Sequence, residues 1–245
     1  LYEELPYGIT MTSFGCPLSC SYCASRLLWP DHLRRPVHSV LRETDLQVSL
    51  GAKDFAFYDD ALLLDKERYF YPLCRELRSR YGNDLSFHTP NGLHVREIDG
   101  ECAAVLRETG FRTIRLSLES IDPGIAGAGS DKVAREEYLK AVRHLLDAGY
   151  SRDDCETYIL LGLPGQDIAS VAETINFVRT AGGRPKLAEF SPIPGTPSFE
   201  RAAEKLPELR DEPLLQNNSV YSSWISGNIS PEELQGLKDL ARKTD

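Results

Sequence analysis

The chain has 245 residues, 41% of them hydrophobic and 27% charged, which predicts an ordinary soluble globular protein with a sizeable core. A formal net charge of −9 argues against non-specific binding to nucleic acid, because that affinity depends on Lys and Arg at phosphates. No run approaches the roughly 18 apolar residues of a membrane span, and no signal segment opens the chain, which begins LYEELPYGIT without a Met and is expected to be a piece of a longer protein.

Short runs of β-branched and aromatic residues alternate with helical patterns along the chain. The predicted strands are Gly8–Ser13, Lys53–Tyr58, Leu85–Thr89, Thr113–Leu118, Thr157–Gly162 and Leu187–Ser191. Most of these runs are almost continuously apolar, which is typical of parallel strands buried on both faces. Helices with one apolar face are predicted to begin near Pro36, Asp65, Asp99, Tyr138 and Ile168.

Six strands separated by five helices predict a parallel sheet that is wound in one direction. The alternation fades after Ser191, where prolines and a glycine interrupt it, so an eight-unit barrel is not expected. We therefore predict an α/β fold, a six-unit partial (β/α)6 barrel over residues 1–192 with a short C-terminal extension over 193–245. The extension is predicted to contain a final helix that begins at Ser230.

Polar or glycine-rich residues follow each predicted strand. Chemistry in such folds lies at the carboxyl ends of the strands, so this pattern predicts a ring of ligands around one central site. The residues in question are the loop of Cys16, then Asp59 and Asp60, His88 and Asn91, Ser117 and Glu119, Gly162 to Gly165, and Glu189. His88 and Asn91 are the candidates for contacts with a substrate. A histidine that is merely hydrogen-bonded at a strand end is the alternative for His88.

Three of the six cysteines form a cluster with the spacing C-x3-C-x2-C in GCPLSCSYC, namely Cys16, Cys20 and Cys23. A disulfide framework would spread its pairs along a secreted chain, whereas a tight trio without a signal segment indicates a metal site in a reducing cytoplasm. Three thiolates can ligate three irons of a 4Fe-4S cluster and leave the fourth iron open, while ordinary electron-transfer clusters use four Cys. The single cysteines, Cys74, Cys102 and Cys155, are predicted to be small core hydrophobes.

A zinc site is the alternative interpretation of the trio. Structural zinc takes four ligands, and Cys16, Cys20, Cys23 and His32 can supply them. Cys-rich zinc sites usually combine two well-separated C-x2-C pairs, which this chain lacks, so the alternative is disfavoured. In that case the chain would be a non-catalytic zinc or iron–sulfur module that serves structure or electron transfer.

The chain resembles the radical SAM superfamily, whose signature C-x3-C-x-aromatic-C is matched by Cys16, Cys20, Tyr22 and Cys23. The resemblance covers roughly residues 9–196 and implies a six-unit partial barrel, with Tyr22 near the adenine of the cofactor. It implies an enzyme whose 4Fe-4S cluster reductively cleaves S-adenosylmethionine (SAM) to a 5′-deoxyadenosyl radical. That radical abstracts hydrogen from a small-molecule or metabolite substrate, and the electron comes from an external flavodoxin or ferredoxin.

Two further motifs of the family imply contacts between acidic or hydroxyl groups and SAM. FYDDA stands where the family's second-strand motif binds the SAM amino group, which implies that Asp59 or Asp60 takes this role. Ser117 and Glu119 in RLSLES match the fourth-strand residues that contact the SAM ribose or carboxylate. A helix N-cap or an Arg partner is the structural alternative for Asp59 and Asp60, and a salt bridge to Arg115 or Arg112 is the alternative for Glu119.

The later motifs imply contacts along the last two strands. YILLGLPG resembles the fifth-strand motif that holds the adenine through backbone groups, which implies roles for Leu160, Gly162 and Pro164. Tyr158 replaces the first glycine of that motif, which argues against a close backbone approach there. EFSPIPGT, which begins with Glu189, resembles the edge of the family's last strand.

Within the superfamily, the stretches SYCASRLL, FAFYDDALL, FHTPNGLH and SPIPGTPSFE are most similar to members that carry a cobalamin-binding domain. This similarity implies cobalamin-dependent methyl transfer as an activity of a full-length protein. No D-x-H-x-x-G cobalamin signature occurs in the sequence, so cobalamin is expected only through a region outside this chain.

Overall fold

The computed structural model describes residues 3–122, 135–218 and 229–243 and has a parallel sheet at its centre. The strands are β1 (Gly8–Thr10), β2 (Ser13–Phe14), β3 (Leu33–Arg34), β4 (Asp54–Phe57), β5 (Ser86–His88), β6 (Leu93–His94), β7 (Phe111–Glu119), β8 (Cys155–Leu161) and β9 (Arg184–Glu189). β1, β4, β5, β7, β8 and β9 are parallel and lie side by side in their order along the chain. The predicted single direction of winding is therefore confirmed, and the sheet is an open, partial barrel.

The two ends of the predicted strand set differ from the structure. The first predicted strand ends at Thr10, and Ser13 and Phe14 instead pair antiparallel with Arg34 and Leu33. This small ladder closes the base of the loop that contains the cysteine trio, so the chain leaves the sheet earlier than the apolar pattern indicates. The last strand begins earlier than predicted and occupies Arg184–Glu189, because Arg184 and Lys186 pair with residues of β8 despite their charged side chains.

The helices lie between the strands and after the last one. They are α1 (Ser25–Leu28), α2 (Val37–Ser49), α3 (Phe70–Tyr81), α4 (Gly100–Thr109), α5 (Arg135–Asp147), α6 (Ile168–Thr180), α7 (Pro197–Lys205) and α8 (Pro231–Arg242). Side-chain caps begin four of them: Asp99 accepts a hydrogen bond from Cys102 N at 2.8 Å, Asp167 caps α6, Thr196 accepts from Phe199 N at the start of α7, and Ser230 forms a capping box with Glu233. Within the described ranges, no helix is long and apolar enough to cross a membrane.

The main core lies between the sheet and the helices that cover its outer face. Aromatic rings of Phe55, Phe57, Phe87, Phe70 and Phe111 contact one another there, with centroids 5.4–6.1 Å apart. The single cysteines are buried in this core, as predicted, and burial raises the pKa of each thiol to about 12; they are Cys74, Cys102 and Cys155. A neutral thiol in such surroundings behaves as a small hydrophobe.

A second, smaller apolar cluster connects α7 with the cysteine loop. Its members are Leu160, Leu163, Phe190, Phe199, Ala202, Ala203 and Leu209, and Tyr22 packs against it. Ser198, at the start of α7, donates its backbone N–H to Ser21 O at 2.9 Å and places its hydroxyl 3.1 Å from that of Ser21. Residues that follow the barrel along the chain therefore support the loop that carries Cys20 and Cys23.

Candidate active site

The three clustered cysteines line one cavity of about 550 Å³ at the carboxyl ends of the parallel strands. A volume of this size is typical of sites for small molecules. All three thiols are free; Cys16 and Cys20 are half-buried, and Cys23 is exposed. Burial is the main cause that raises the pKa of Cys16 and raises the pKa of Cys20 to about 11. Because metals bind thiolates, occupation of this site by a metal releases protons.

The other ligand of the zinc alternative lies elsewhere. His32 does not line the cavity, and the charged groups that act on its imidazole are those of Arg34 and Asp59. Desolvation and the guanidinium of Arg34 lower the pKa of this imidazole. Within residues 3–122, 135–218 and 229–243, no three His, Cys, Asp or Glu side chains converge closely enough to hold a single metal ion.

The two adjacent aspartates after β4 have different surroundings. Asp59 is 3% exposed, and its Oδ1 accepts hydrogen bonds from Thr12 N at 3.0 Å, Thr12 Oγ1 at 2.6 Å and Ser13 Oγ at 2.7 Å. This carboxylate therefore fixes the backbone that leads into the cysteine loop. Asp60 is exposed and lines the cavity. Of the pair, the geometry favours Asp60 as the group that faces a ligand.

Glu119 brings a second carboxyl group into the cavity. Desolvation by burial raises the pKa of Glu119 to about 7, and a hydrogen bond with Ser117 opposes this shift. The register between β7 and β8 shifts between Ser117 and Glu119, and Glu119 has φ +68°, in the left-handed region. Such a conformation costs a non-glycine residue about 1–3 kcal/mol. The bulge turns the carboxyl group of a strand residue towards the cysteine loop.

The remaining predicted cofactor contacts divide into two groups. Tyr22 and Leu160 line the cavity, and desolvation raises the pKa of Tyr22 well above its ordinary value. Gly162, Pro164 and Glu189 do not line it. The side chain of Glu189 instead pairs with Lys238 of α8, with 2.7 Å between Oε1 and Nζ.

The turn after β8 is held by a residue that the sequence did not single out. Gln166, which is 2% exposed, accepts a hydrogen bond from Gly162 N at 2.8 Å and donates one to Leu160 O at 2.9 Å. Gly162 has φ +91°, so glycine is required for this turn. A Gln four residues after a Gly in a turn carries no strong sequence signal, because the contact depends on the fold of the turn.

The two candidates for contacts with a substrate, His88 and Asn91, have different surroundings in the structure. The imidazole of His88 lies 3.1 Å from Thr113 Oγ1 and 3.3 Å from Asp54 Oδ1 and does not line the cavity, so its contacts are those of the hydrogen-bonded alternative. Asn91 lines the cavity and donates its amide to Tyr58 O at 2.8 Å. An apolar part of the cavity wall was not predicted from the sequence. It consists of Leu62, Leu63, Leu64, Leu93, Leu163 and Tyr158.

The fold and the site together define a partial β/α barrel, with a loop of three cysteines at the mouth of a cavity that is lined by carboxyl groups. The sequence profile of the radical SAM superfamily matches residues 10–178. The chain belongs to this superfamily, which confirms the resemblance drawn from its cysteine spacing and strand motifs.

Two relatives are similar in sequence to most of this chain. The chain is 27% identical over 205 residues to an uncharacterized methyltransferase of Pyrococcus horikoshii, an alignment that covers 82% of this chain and 43% of the relative. It is 23% identical over 226 residues to a tRNA-2-methylthio-N(6)-dimethylallyladenosine synthase of Deinococcus radiodurans, with coverage of 86% and 43%. The chain thus spans less than half the length of these relatives.

A solved structure shares the fold. It is the radical S-adenosylmethionine methyltransferase TsrM from Kitasatospora setae with cobalamin and a [4Fe-4S] cluster bound. The TM-score is 0.67 at 22% sequence identity, and the match covers 81% of this chain and 37% of TsrM. At this level of identity the likeness establishes the architecture of the partial barrel.

Proposed function

We propose that this chain is the catalytic core of a radical SAM enzyme, with Cys16, Cys20 and Cys23 ligating three irons of a 4Fe-4S cluster. The observation that carries this proposal is that all three thiols line the same strand-end cavity as Asp60 and Glu119. Three thiolates leave one iron for a ligand that is not a cysteine, and the adjoining cavity provides space for that ligand. The cysteine donor set fits iron–sulfur chemistry because thiolates are the soft ligands such clusters take.

The charge and shape of the cavity support SAM as the ligand. SAM carries a sulfonium and an ammonium group, and Asp60 supplies an acidic partner for a cation that leaves water. Ser117 and Glu119 lie on the same wall, where hydroxyl groups of a ribose would find hydrogen-bonding partners. Tyr22 and Leu160 offer apolar surface for the adenine. When bound, the cluster supplies the electron that splits SAM into methionine and a 5′-deoxyadenosyl radical.

In this proposal the radical would abstract hydrogen from a small-molecule or metabolite substrate, and an external flavodoxin-type or ferredoxin-type protein would supply the electrons. Residues 1–192 form the radical SAM core in this proposal, and residues 193–245 form an extension whose first helix supports the cysteine loop through Ser198. Methyl transfer with cobalamin belongs to the proposal only for a longer protein, and similarity to an uncharacterized methyltransferase of Pyrococcus horikoshii supports the methyl transfer.

Anaerobic reconstitution with iron and sulfide tests the cluster assignment. We expect a brown protein that produces 5′-deoxyadenosine from SAM when it is reduced, and we expect Cys20→Ala to abolish both the cluster and the cleavage. Cys102→Ala is the matched control, because Cys102 is a fully buried core residue of α4, away from the cavity. A colourless protein with one tightly bound zinc, or cleavage that survives in Cys20→Ala, would overturn the proposal.

A further inference from the structure

The segment Thr89–Gly92, termed the floor segment, leaves the sheet and lines the cavity. β5 pairs with the first part of β7, at Phe111 and Thr113, and β6 resumes the pairing farther along, at Leu116 and Ser117. The residues between β5 and β6 are therefore displaced from the ladder. Three of them, Pro90, Asn91 and Gly92, line the cavity.

The residues of the floor segment contact the end of β4 and the strand β7. Thr89 N donates to Thr113 O at 3.2 Å, and Asn91 donates its amide to Tyr58 O at 2.8 Å. Gly92 lies so close to β7 that a Cβ atom there would approach Ser117 Oγ to 2.2 Å. The segment is thus packed between the ends of β4 and β7, and a side chain larger than hydrogen is excluded at position 92.

Pro90 is held by side chains of two inner strand residues. Its carbonyl oxygen accepts hydrogen bonds from Tyr158 Oη at 2.8 Å and from Arg115 Nη1 at 3.2 Å. Arg115 Nε in turn donates to Glu156 Oε2 at 2.8 Å, and Lys186 Nζ donates to the same oxygen at 3.0 Å. Tyr158 is the member of this network that also lines the cavity, while Arg115, Glu156 and Lys186 do not.

The floor segment consequently separates two environments. The cavity with its leucine-rich wall contains Pro90, Asn91, Gly92 and Tyr158, whereas Arg115 and Glu156 lie among the charged residues that form ion pairs outside it. The hydrogen bond from Arg115 to Pro90 O crosses this boundary. The charged network fixes the side chain of Arg115, and the guanidinium carbon of Arg115 lies over the ring of Tyr158, 5.8 Å from the ring centroid. The hydroxyl group of Tyr158 is held in place by this contact.

We propose that Tyr158 is a positioning residue that latches the floor segment through the Pro90 carbonyl and thereby sets the depth and shape of the ligand cavity. The identity of the ligand as SAM rests on the proposed function, but the latch itself does not. Without the hydroxyl group, Pro90 O retains only its longer hydrogen bond to Arg115, so the floor segment opens more often. The ligand then binds to a cavity that has to be ordered first, which weakens binding.

Tyr158→Phe tests the latch, and Tyr150→Phe is its matched control. Tyr150 also donates its hydroxyl group to a backbone carbonyl, Phe111 O at 3.0 Å, and has the guanidinium of Arg107 5.1 Å from its ring. Tyr150 is buried and does not line the cavity. Both variants lose one hydroxyl group and one hydrogen bond, so a general loss of stability affects both.

The first measurement needs no ligand. Hydrogen–deuterium exchange on the protein as isolated is followed at the backbone amide of Thr89, which donates to Thr113 O, and at the amides of β6, which pairs with β7. We expect Tyr158→Phe to accelerate this exchange about threefold to tenfold, the effect of one lost hydrogen bond, and Tyr150→Phe to leave it unchanged. Equal exchange in wild type and Tyr158→Phe would overturn the latch, whatever the protein binds.

The second measurement is the dissociation constant of SAM for the same three proteins. We expect Tyr158→Phe to raise it about threefold to tenfold and Tyr150→Phe to leave it within twofold. Faster exchange with an unchanged dissociation constant would overturn the role of the floor in ligand binding. Failure of cluster-loaded wild type to bind SAM would overturn the proposed function instead, while the exchange result would still decide the latch.

Discussion

The neighbouring aspartates Asp59 and Asp60 allow the sharpest test of how this site is assembled. Asp59→Asn removes one negative charge but keeps the size of the side chain. In the structure, Asp59 Oδ1 accepts from Thr12 N, Thr12 Oγ1 and Ser13 Oγ at 2.6–3.0 Å. We therefore expect this substitution to loosen the entry to the cysteine loop and to lower stability, with SAM binding affected only through the loop.

The magnitude follows from the number and type of these hydrogen bonds. A hydrogen bond to a charged group contributes about 1.5–3 kcal/mol, against about 0.5–1.5 kcal/mol for a neutral pair, so loss of the charge costs about 1 kcal/mol for each donor. Three donors give a loss of about 3 kcal/mol. The amide nitrogen adds to this loss, because it replaces the second oxygen of Asp59, which lies 3.0 Å from the Thr12 N–H donor.

Urea unfolding and iron content provide the assay, with Asp60→Asn as the matched control. Asp60 is exposed and lines the cavity, so its substitution should change the free energy of unfolding by less than about 0.5 kcal/mol and should weaken SAM binding. Asp59→Asn should lose both stability and retained iron. The opposite pattern, with a stable Asp59→Asn that no longer binds SAM and a destabilised Asp60→Asn, would refute the reasoning.

Two further predictions concern the cavity wall and its support. Burial raises the pKa of Glu119 to about 7, whereas the carboxyl group of the unfolded chain releases its proton near pH 4.5. Between these two pH values the folded protein binds one proton more than the unfolded chain, so Glu119 lowers the free energy of unfolding as the pH rises. Between pH 4.5 and 8, the free energy of unfolding of Glu119→Gln, measured with urea, should rise relative to that of wild type by up to about 3 kcal/mol. The same pH dependence of unfolding in both proteins would contradict this. Phe199→Ala should cost about 3–5 kcal/mol and also lower the iron bound per folded molecule, since Phe199 belongs to the apolar cluster that supports Tyr22. Leu145→Ala, in the main core, should cost a comparable free energy yet retain its iron; equal iron loss in both variants would contradict the support role.

The sequence predicted the elements whose signals are local. A trio of cysteines within eight residues indicates a metal site by spacing alone, and alternating apolar strands and amphipathic helices predict a wound parallel sheet. The helix starts at Asp99 and Ser230 were predicted for the same reason, because the capping groups found there in the structure interact within one helical turn. Family membership, confirmed over residues 10–178, follows from these local motifs in their order along the chain.

The roles of adjacent polar residues required the tertiary structure. Asp59 and Asp60 are equivalent in the sequence, but their side chains leave the strand end in different directions, and the donors of Thr12 lie 47 positions away. The cavity-facing bulge at Glu119 and the attachment of Pro90 to Tyr158 likewise depend on strand register, which a one-dimensional pattern does not contain.

The amino-acid sequence by itself therefore predicted the cysteine loop, the winding of the barrel and the set of polar residues at the mouth of the barrel. The structure decided which of these residues face the cavity, which of them hold the loop, and that α7 supports the loop from 177 positions away through Ser198 and Ser21. The physical reason is range: hydrophobic periodicity and capping act within a few residues, whereas cavity walls and buried hydrogen bonds form between segments that only folding brings together.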